Sequence, residues 1–307
     1  QLPALRRRDY DLVHIHTPFV AHYAGLHIAR ALGLPTVETY HTHFEEYLFH
    51  YLPWLPRSAL RYAARRFSRS QCNAVDAVVA PSGPMLETLR GYGVQTPIQV
   101  LPTGLDLTRF QGGDGQRFRQ AHGIAPQRPV LVHVGRTAHE KNIGFLLEVL
   151  AQVRHSVPDV LLVIAGEGPA REELMRQAAR LYLQDNTLFV GYLDREHELL
   201  DCYRAGDAFI FASRTETQGL VVLEAMALGV PVVSTAHLGT REILAAGRGA
   251  LVARDDLDDF AAKVVDLLED AGLRAALGAD GQAYAREWSA PEQAKRMVEL
   301  YRSVIDH

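Results

Sequence analysis

Apolar and polar positions along this chain alternate in blocks that are typical of repeated strand–helix units. Residues 129–134 and 207–213 are mostly apolar runs of strand length, which predicts two buried strands. Residues 220–228 have the composition of a helix, and the Gly-Val-Pro sequence that follows would end it. Further strands are predicted at 12–16, 36–41, 77–82, 98–102 and 189–193. This alternation predicts an α/β fold built on parallel sheets.

Glu216 and Glu224 flank the predicted start of the helix that follows the strand at 207–213. The helix should begin near Gly219, so its first backbone N–H groups point into a crevice at the end of the strand. Such a helix start favours an anion, most often phosphate. With ~3.6 residues per turn, Glu224 lies about two turns beyond Glu216 and roughly 80° round the helix. The pair suits a ligand with phosphate and hydroxyl groups, such as a sugar nucleotide, although isolated glutamates are more often solvated surface residues.

Arg136 and Lys141 lie in the loop after the strand at 129–134, within the sequence GRTAHEKN at 135–142. In open α/β sheets, ligands bind outside the carboxyl ends of the strands. An arginine holds phosphate with its planar fork, and a lysine acts as a point charge. Two such cations opposite a helix start would therefore form a clamp for a diphosphate.

Three motifs occur in a fixed order over about 90 residues: GRTAHEKN at 135–142, GEGP at 166–169, and the glutamates at 216 and 224. They resemble the G-R-x4-K-N, G-x-G-P and E-x7-E motifs of the retaining glycosyltransferases of family 4, which have the GT-B fold. Residues 189–193 also resemble the family's strand whose end borders the nucleotide base. The resemblance implies two Rossmann-like domains that face a cleft.

The same resemblance implies a UDP-sugar as donor substrate, bound without a metal ion or another cofactor, and transfer that retains the anomeric configuration. Arg136, Lys141 and the backbone at 219–221 would stabilise the leaving diphosphate. Glu216 would hold the sugar hydroxyls, and Glu224 would bind the ribose. The predicted donor-binding residues are Gly135, Arg136, Lys141, Gly166, Leu193, Glu216, Gly219, Leu220, Val221 and Glu224.

Residues 40–47 and 49–51, with the sequences YHTHFEEY and FHY, resemble bacterial diacylglycerol glucosyltransferases. The resemblance implies transfer of a hexosyl group, with glucose the expected sugar, to diacylglycerol or a similar membrane lipid. In the wider family the histidine of this element faces the donor sugar, which assigns that role to His41. A neutral imidazole could bond a sugar hydroxyl and a cationic one could support the diphosphate, and both stay open. The predicted catalytic residues are His41, Arg136, Lys141 and Glu216.

Residues 56–70 form a basic segment without acidic residues, with arginines at 57, 61, 65 and 69. An apolar stripe with helical spacing occupies another face of the same segment. A basic amphipathic helix beside Trp54 predicts contact with an anionic membrane surface. The alternative is a solvated basic face whose apolar stripe packs against the sheet. If the membrane prediction holds, we expect a cytoplasmic protein that binds peripherally to the inner face of the plasma membrane.

The predicted domains are an acceptor-side Rossmann-like domain at 1–110 and a nucleotide-sugar-binding domain at 125–287. A Gly-rich linker at 111–124 would join them, and a helix at 288–307 would cross back to the first domain. The chain begins at Gln1, and its first strand resembles one from the middle of the family's N-terminal domain. At ~25–30 residues per βα unit, two or three units, roughly 80 residues, are expected to be missing. We therefore expect a fragment of a longer protein.

Composition narrows the class of protein further. The chain has 307 residues, of which 48% are hydrophobic, so it can form two domains with their own cores. A net charge of -4 argues against a general nucleic-acid binder. Cys72 and Cys202 are far apart, which argues against a disulfide framework or a metal knuckle. No apolar run approaches the ~18 residues of a membrane span.

Two alternatives remain beside transfer to diacylglycerol. The acceptor could be a phosphatidylinositol, a sugar phosphate or a growing glycan, or the chain could bind a nucleotide sugar without catalysis. A metal hydrolase is disfavoured, although His-x-His occurs at 14–16 and 41–43. That interpretation leaves no role for Arg136, Lys141 or the two glutamates.

Overall fold

The computed structural model describes residue 5 and residues 8–41, 43–45 and 54–306. The chain divides into two compact units. One comprises Gln1–Gly104 and Pro291–His307, and the other comprises Leu105–Ala290. Each unit is built on one parallel sheet with helices between successive strands, so the predicted α/β class with parallel sheets is confirmed.

The first unit contains four parallel strands in the order β1-β2-β3-β4. The strands are β1 (Val13–Ile15), β2 (Thr36–Thr39), β3 (Ala77–Ala80) and β4 (Ile98–Val100). Helices α1 (Val20–Leu32), α2 (Arg57–Cys72) and α3 (Gly83–Gly91) belong to this unit, together with the last helix, α12 (Ala290–Ile305).

Separate apolar clusters cover the two faces of this sheet. Val78 belongs to a cluster with Met85 and Leu89 of α3. Val79, the next residue of β3, belongs to the other cluster, with Leu300 of α12. Neighbouring residues enter different clusters because side chains alternate between the two faces of a strand. The last helix is therefore part of the core of the first unit.

The second unit contains six parallel strands in the order β10-β9-β8-β5-β6-β7. These are β5 (Val130–Val134), β6 (Leu161–Ala165), β7 (Thr187–Gly191), β8 (Ala208–Phe211), β9 (Val232–Thr235) and β10 (Ala250–Ala253). The helices are α4 (Gly115–Ala121), α5 (Ile143–Ser156), α6 (Arg171–Arg180), α7 (Glu198–Ala205), α8 (Leu220–Ala227), α9 (Gly239–Leu244), α10 (Leu257–Glu269) and α11 (Ala271–Ala285).

The order of the strands determines where this second sheet can bind a ligand. β5 and β8 are neighbours although they are not consecutive, and Val132 lies opposite Phe209. From β5 the chain adds strands towards one edge of the sheet, and from β8 it adds them towards the other edge, which is the doubly wound order. In such sheets, ligands bind in the crevice outside the carboxyl ends of the two strands where the order changes. The loops after β5 and β8 therefore meet at the same edge of the sheet.

The structure differs from the sequence predictions mainly at the ends of elements. All seven predicted strands are present, but β7 ends at Gly191, so Leu193 follows the strand. The helix predicted at 220–228 is α8. The last helix begins two residues later than predicted, because Arg286–Trp288 forms a 3₁₀ turn and the Trp288 carbonyl accepts a hydrogen bond from the Leu105 amide at 2.7 Å.

Candidate active site

Lys141 and Glu216 bring opposite charges together where the loops after β5 and β8 meet. The Lys141 ammonium and the Glu216 carboxylate form a salt bridge, and their side chains are only 15% and 17% exposed. Asn142 fastens the two loops, since its Nδ2 donates to the Ala212 carbonyl at 3.3 Å. A nearby opposite charge favours the charged form of a partly buried group. The structure thus brings two predicted catalytic residues into direct contact.

The glycine motifs of the loops after β5 and β6 form one interlocked structure. The Gly135 amide donates to the Ala165 carbonyl, and the Thr137 amide donates to the Glu167 carbonyl, both at 3.0 Å. A Cβ atom at Gly166 would lie 1.9 Å from the Gly135 carbonyl oxygen. Any side chain at this position would force the loops apart, so glycine is required by the close approach of the two backbones.

A cavity of about 300 Å³ lies at the carboxyl ends of β5, β6 and β7. Gly135, Arg136, Gly166, Leu193 and Val221, all of them predicted donor-binding residues, line it. Its wall is mostly apolar, and the Arg136 side chain is exposed. An apolar wall with a cation at the edge suits a ligand that has a flat ring and an anionic group.

The start of α8 adds backbone N–H groups to this edge of the sheet. Gly219 precedes the helix with φ +94°, and a Cβ atom there would lie 2.5 Å from Thr240 Cγ2. The N–H groups of Leu220 and Val221 have no carbonyl partner within the helix, because the first turn of a helix provides none. They therefore form a positive helix end beside Glu216, as the sequence predicted.

Glu224 lies in a second charged pair, formed with an arginine that the sequence analysis missed. The carboxylate is buried, and its Oε1 accepts a hydrogen bond from Arg195 Nη2 at 2.8 Å. Its Oε2 accepts one from the Tyr203 hydroxyl at 2.9 Å. Burial and the neighbouring carboxylate raise the pKa of Tyr203 well above its ordinary value, so this hydroxyl remains a donor. A carboxylate has about four acceptor positions, so Glu224 keeps acceptor positions beyond the two that Arg195 and Tyr203 use.

A signal for Arg195 was present in the sequence, whereas none was present for Tyr203. Arg195 follows Leu193 by two residues, at the end of a predicted strand, where a cation is as informative as it is at Arg136. Tyr203 lies within α7 and reaches Glu224 only because α7 and α8 pack in the same core. That contact joins residues 21 positions apart and has no sequence pattern of its own.

His133 is a third residue that the sequence analysis did not select. It is fully buried in β5, two residues before Gly135, and its Nδ1 donates to the Ile210 carbonyl at 3.1 Å. Burial is the main cause that lowers the pKa of His133 to about 4. The ring is therefore neutral and places no charge behind the Lys141–Glu216 pair.

His41 is the one predicted site residue that belongs to the first unit. It follows β2, and its Nε2 lies 3.3 Å from Nδ1 of His16. The residue as a whole is exposed, but the ring is partly buried; this partial burial and the charge of His16 lower the pKa of His41 below 6.5, so the ring is mostly neutral at pH 7. Of the two alternatives left open by the sequence, this favours hydrogen bonding to a hydroxyl over electrostatic support of a diphosphate.

The basic segment at 56–70 lies in α2, and its apolar stripe faces the core. Leu60 and Ala64 are buried, and Phe67 packs against the apolar cluster of the first unit. On the outer face, Arg65 forms a two-pronged hydrogen bond to Glu45 at 2.7 and 3.0 Å. The stripe therefore serves the packing of the protein, as the alternative prediction had it. Contact of the outer basic face with a membrane stays a prediction.

No group of three or more His, Cys, Asp or Glu side chains among the described residues could hold a metal ion. No helix in the same part of the chain is long and apolar enough to cross a membrane. Part of the segment at 40–51 that resembles diacylglycerol glucosyltransferases, namely residues 42 and 46–51, lies outside the described residues.

Two family models together match most of the chain. The model of the family described as "Glycosyl transferases group 1" matches residues 114–284, and that of "Glycosyltransferase Family 4" matches residues 2–109. The Alpha-monoglucosyldiacylglycerol synthase of Streptococcus pneumoniae is 34% identical over 241 residues, which are 76% of this chain and 53% of that protein. The chain thus spans about half the length of this relative.

Two further matches extend over almost all of the chain. D-inositol 3-phosphate glycosyltransferase 2 of Catenulispora acidiphila is 31% identical over 97% of this chain and 72% of its own length. The crystal structure of Anabaena HepE in complex with UDP and glucose matches with a TM-score of 0.82 at 20% identity, over 98% of this chain and 80% of that chain. The family models, the parallel sheets and this structural likeness agree, and the chain is therefore a member of the glycosyl transferases group 1 family with the GT-B fold.

Proposed function

We propose that this protein is a retaining hexosyltransferase that moves a sugar, with glucose the expected one, from a UDP-sugar to diacylglycerol or a similar membrane lipid. The observation that carries the proposal is the Lys141–Glu216 pair beside the start of α8. It combines a cation, a hydroxyl acceptor and helix N–H groups at one edge of a doubly wound sheet. These are the groups that a sugar diphosphate requires.

The chemistry follows from where charge develops in the reaction. When the bond between the sugar and the diphosphate breaks, negative charge builds on the leaving phosphate oxygens. Arg136, Lys141 and the amides of Leu220 and Val221 would stabilise this charge without having to reorient. Lys141 can do so while it keeps its contact with Glu216, since an ammonium has three N–H donors. The positive charge comes from the protein, so no divalent ion is required at the diphosphate.

The two glutamates would bind the hydroxyl-bearing parts of the donor. Glu216 accepts hydrogen bonds from the sugar, and its pairing with Lys141 holds the carboxylate in one orientation. Glu224 accepts hydrogen bonds from the ribose, with Arg195 and Tyr203 fixing its two oxygens. The backbone at Leu193 borders the uracil in the cavity at the ends of β5 to β7.

The lipid acceptor is supported by the named activity of the pneumococcal relative and by the surface of the first unit. Trp54 and Tyr62 are 73% and 67% exposed beside the basic outer face of α2. Each arginine near an anionic surface contributes about 1 kcal/mol to binding, and salt screens the effect. The protein would thus attach to the inner face of the membrane by charge and exposed aromatic rings, with the apolar stripe of α2 left in the core.

A soluble acceptor is the second candidate, and one observation favours it. The relative from Catenulispora acidiphila, which is named for transfer to an inositol phosphate, matches a larger share of this chain than the pneumococcal one does. The donor chemistry would be unchanged, because all the donor-binding residues proposed above lie in the second unit.

The test is UDP release from UDP-glucose, UDP-galactose and UDP-glucuronate under two conditions. One contains diacylglycerol in phosphatidylglycerol vesicles, and the other contains inositol 3-phosphate without lipid. Lipid-dependent release from one donor supports the proposal and identifies the sugar. UDP release only with inositol 3-phosphate would mean that the acceptor is a soluble inositol phosphate and not a lipid. UDP-sugar binding without release in either condition would make the protein a non-catalytic nucleotide-sugar binder.

A further inference from the structure

Three histidines, a threonine and a tyrosine form one connected group in the first unit, which we call the histidine cluster. Its members are His14, His16, Thr39, His41 and Tyr301. His14 lies in β1, His16 directly follows that strand, and His41 follows the neighbouring strand β2. Carboxyl ends of adjacent parallel strands lie at the same edge, which is why residues 25 positions apart meet here.

His14 is held at both ring nitrogens. Its Nδ1 lies 2.6 Å from the hydroxyl of Tyr301 on α12, and its Nε2 lies 2.7 Å from Oγ1 of Thr39. The His16 ring packs on it, with ring centroids 4.0 Å apart. Because neither nitrogen of His14 can turn away without losing a bond, His14 forms a rigid support for the His16 ring.

His16 in turn bonds His41. Its Nδ1 lies 3.3 Å from His41 Nε2, and the two rings are nearly parallel, with an interplanar angle of 21°. A hydrogen bond between two imidazole nitrogens needs one N–H and one lone pair. It is therefore lost when both rings are protonated, and the tautomer of either ring determines that of the other.

We propose that His16 is the positioning residue for His41: the ring-to-ring hydrogen bond sets the orientation and the tautomer of His41, and the Tyr301–His14–Thr39 bonds keep His16 in place. The inference rests on the proposed function, together with the role that the family resemblance gives His41, which is to face the donor sugar. It identifies His41 as a neutral hydrogen-bonding group for a sugar hydroxyl and makes a residue of the last helix part of its support.

The charges around the cluster agree with this arrangement. Burial, and after it the charges of His16 and His41, lower the pKa of His14 to about 4. After burial, His16 is the cause that lowers the pKa of His41. The Tyr301 hydroxyl, whose pKa burial raises, is a further titratable group in contact with the cluster. Removing the imidazole of His16 should therefore raise the pKa of His41 towards the ordinary value of 6.5.

Two substitutions of His16 test whether its hydrogen bond to His41 is what positions that ring. His16 is exposed, so neither His16→Ala nor His16→Asn leaves a buried cavity. The amide nitrogen of Asn can take the place of Nδ1 and donate to His41, whereas Ala cannot. We expect His16→Ala to lower kcat by about tenfold, the worth of one hydrogen bond, and His16→Asn to restore it to within about threefold of wild type. His27→Asn, at an exposed histidine of α1, is the matched control and should change nothing.

The decisive readout is the titration of His41 by its imidazole ¹⁵N resonances, which does not depend on transfer. The titration midpoint of His41 should rise in both variants at position 16, and the acidic limb of kcat should move upward with it. An unchanged midpoint in both variants, or equal kcat for the Asn and Ala variants, overturns the inference. A midpoint that moves in a protein without any transfer activity supports the positioning contact and overturns the proposed function instead.

Discussion

The carboxyl edges of the two parallel sheets carry opposite kinds of chemistry on the same architecture. In the second unit, the edge contains full charges in pairs, Lys141 with Glu216 and Arg195 with Glu224. In the first unit, the corresponding edge contains hydroxyls and imidazoles, and the pKa values of two of these imidazoles, His14 and His41, are lowered. The charged edge fits a diphosphate, and the neutral edge fits hydroxyl groups. The strands place a site at their carboxyl ends, and the loop residues alone decide its chemistry.

The difference has a simple electrostatic cause. A charge that is withdrawn from water persists when an opposite charge compensates it, as at Lys141, which is 15% exposed. An imidazole beside other imidazoles has no such compensation and loses its proton instead, as the lowered pKa of His14 shows. The same partial burial therefore preserves charge in one unit and removes it in the other.

The largest expected effect comes from removing the cation of the charged edge. Lys141→Ala should lower kcat/KM for the UDP-sugar by ~100-fold or more, because the leaving diphosphate loses a preorganised charge. Glu216 would also lose its partner. Steady-state UDP release measures the effect, with Lys295→Ala as the matched control, since that lysine side chain is 72% exposed. A near-normal rate for Lys141→Ala would remove the residue from the proposed mechanism.

The second prediction concerns Glu38, a buried carboxyl group of the first unit, and asks whether burial keeps it protonated. Glu38 contacts His22 at 3.2 Å, and burial raises the pKa of Glu38 from 4.5 to about 7. The folded state therefore binds this proton more tightly than the unfolded state, and its stabilising effect is lost as pH rises from about 4.5 to about 7. Between pH 5 and pH 7 the wild type should lose about 2 kcal/mol of unfolding free energy relative to Glu38→Gln.

Urea unfolding of both proteins at the two pH values measures this difference. Glu87→Gln, at an exposed carboxyl of α3, is the control and should follow the wild type at both values. Equal pH dependence of the wild type and Glu38→Gln would mean that Glu38 is ionised in the folded protein.

The second charged pair should affect donor binding more than turnover. Glu224→Gln keeps the shape of the side chain but removes the charge that faces Arg195, so KM for the UDP-sugar should rise by about tenfold. Tyr203→Phe leaves the Glu224 side chain and its contact with Arg195 in place and removes one hydrogen bond, so its effect on KM should be smaller. The comparison fails if Tyr203→Phe raises KM as much as Glu224→Gln does.

The smallest effect concerns backbone strain, which both units contain at a helix start. Phe19 precedes α1 with φ 60° and ψ -122°, and Leu238 precedes α9 with φ 44° and ψ -123°. Leu238→Gly should stabilise the protein by about 1 kcal/mol, the relief of strain less the flexibility gained by the unfolded chain. Phe19→Gly should be close to neutral, because it also removes ring contacts with Phe44 and Phe67. Thermal unfolding of both variants and the wild type measures these changes in stability. A lower stability of Leu238→Gly would contradict the claim that the backbone at Leu238 is strained.

Much of the fold and of the charged edge could be predicted from the sequence, because local signals determine them. Apolar runs of four to six residues predict buried strands, and glycines at 135, 166 and 219 mark loops where backbones approach closely or take positive φ. The loop cations and the helix start follow from these strands. For α2, the sequence left two alternatives open, because helical spacing identifies an apolar stripe but does not show whether the protein core or a membrane covers it.

The sequence by itself determined the two parallel α/β units, the loops that carry Arg136 and Lys141, and the helix start beside Glu216. Only the tertiary structure decided the partners: Arg195 and Tyr203 for Glu224, and His16 for His41. Strands and helix ends depend on neighbours in the chain, whose periodicity can be read directly. Partners 21 to 29 positions apart meet only because particular helices and strands pack side by side, and that packing depends on the whole core.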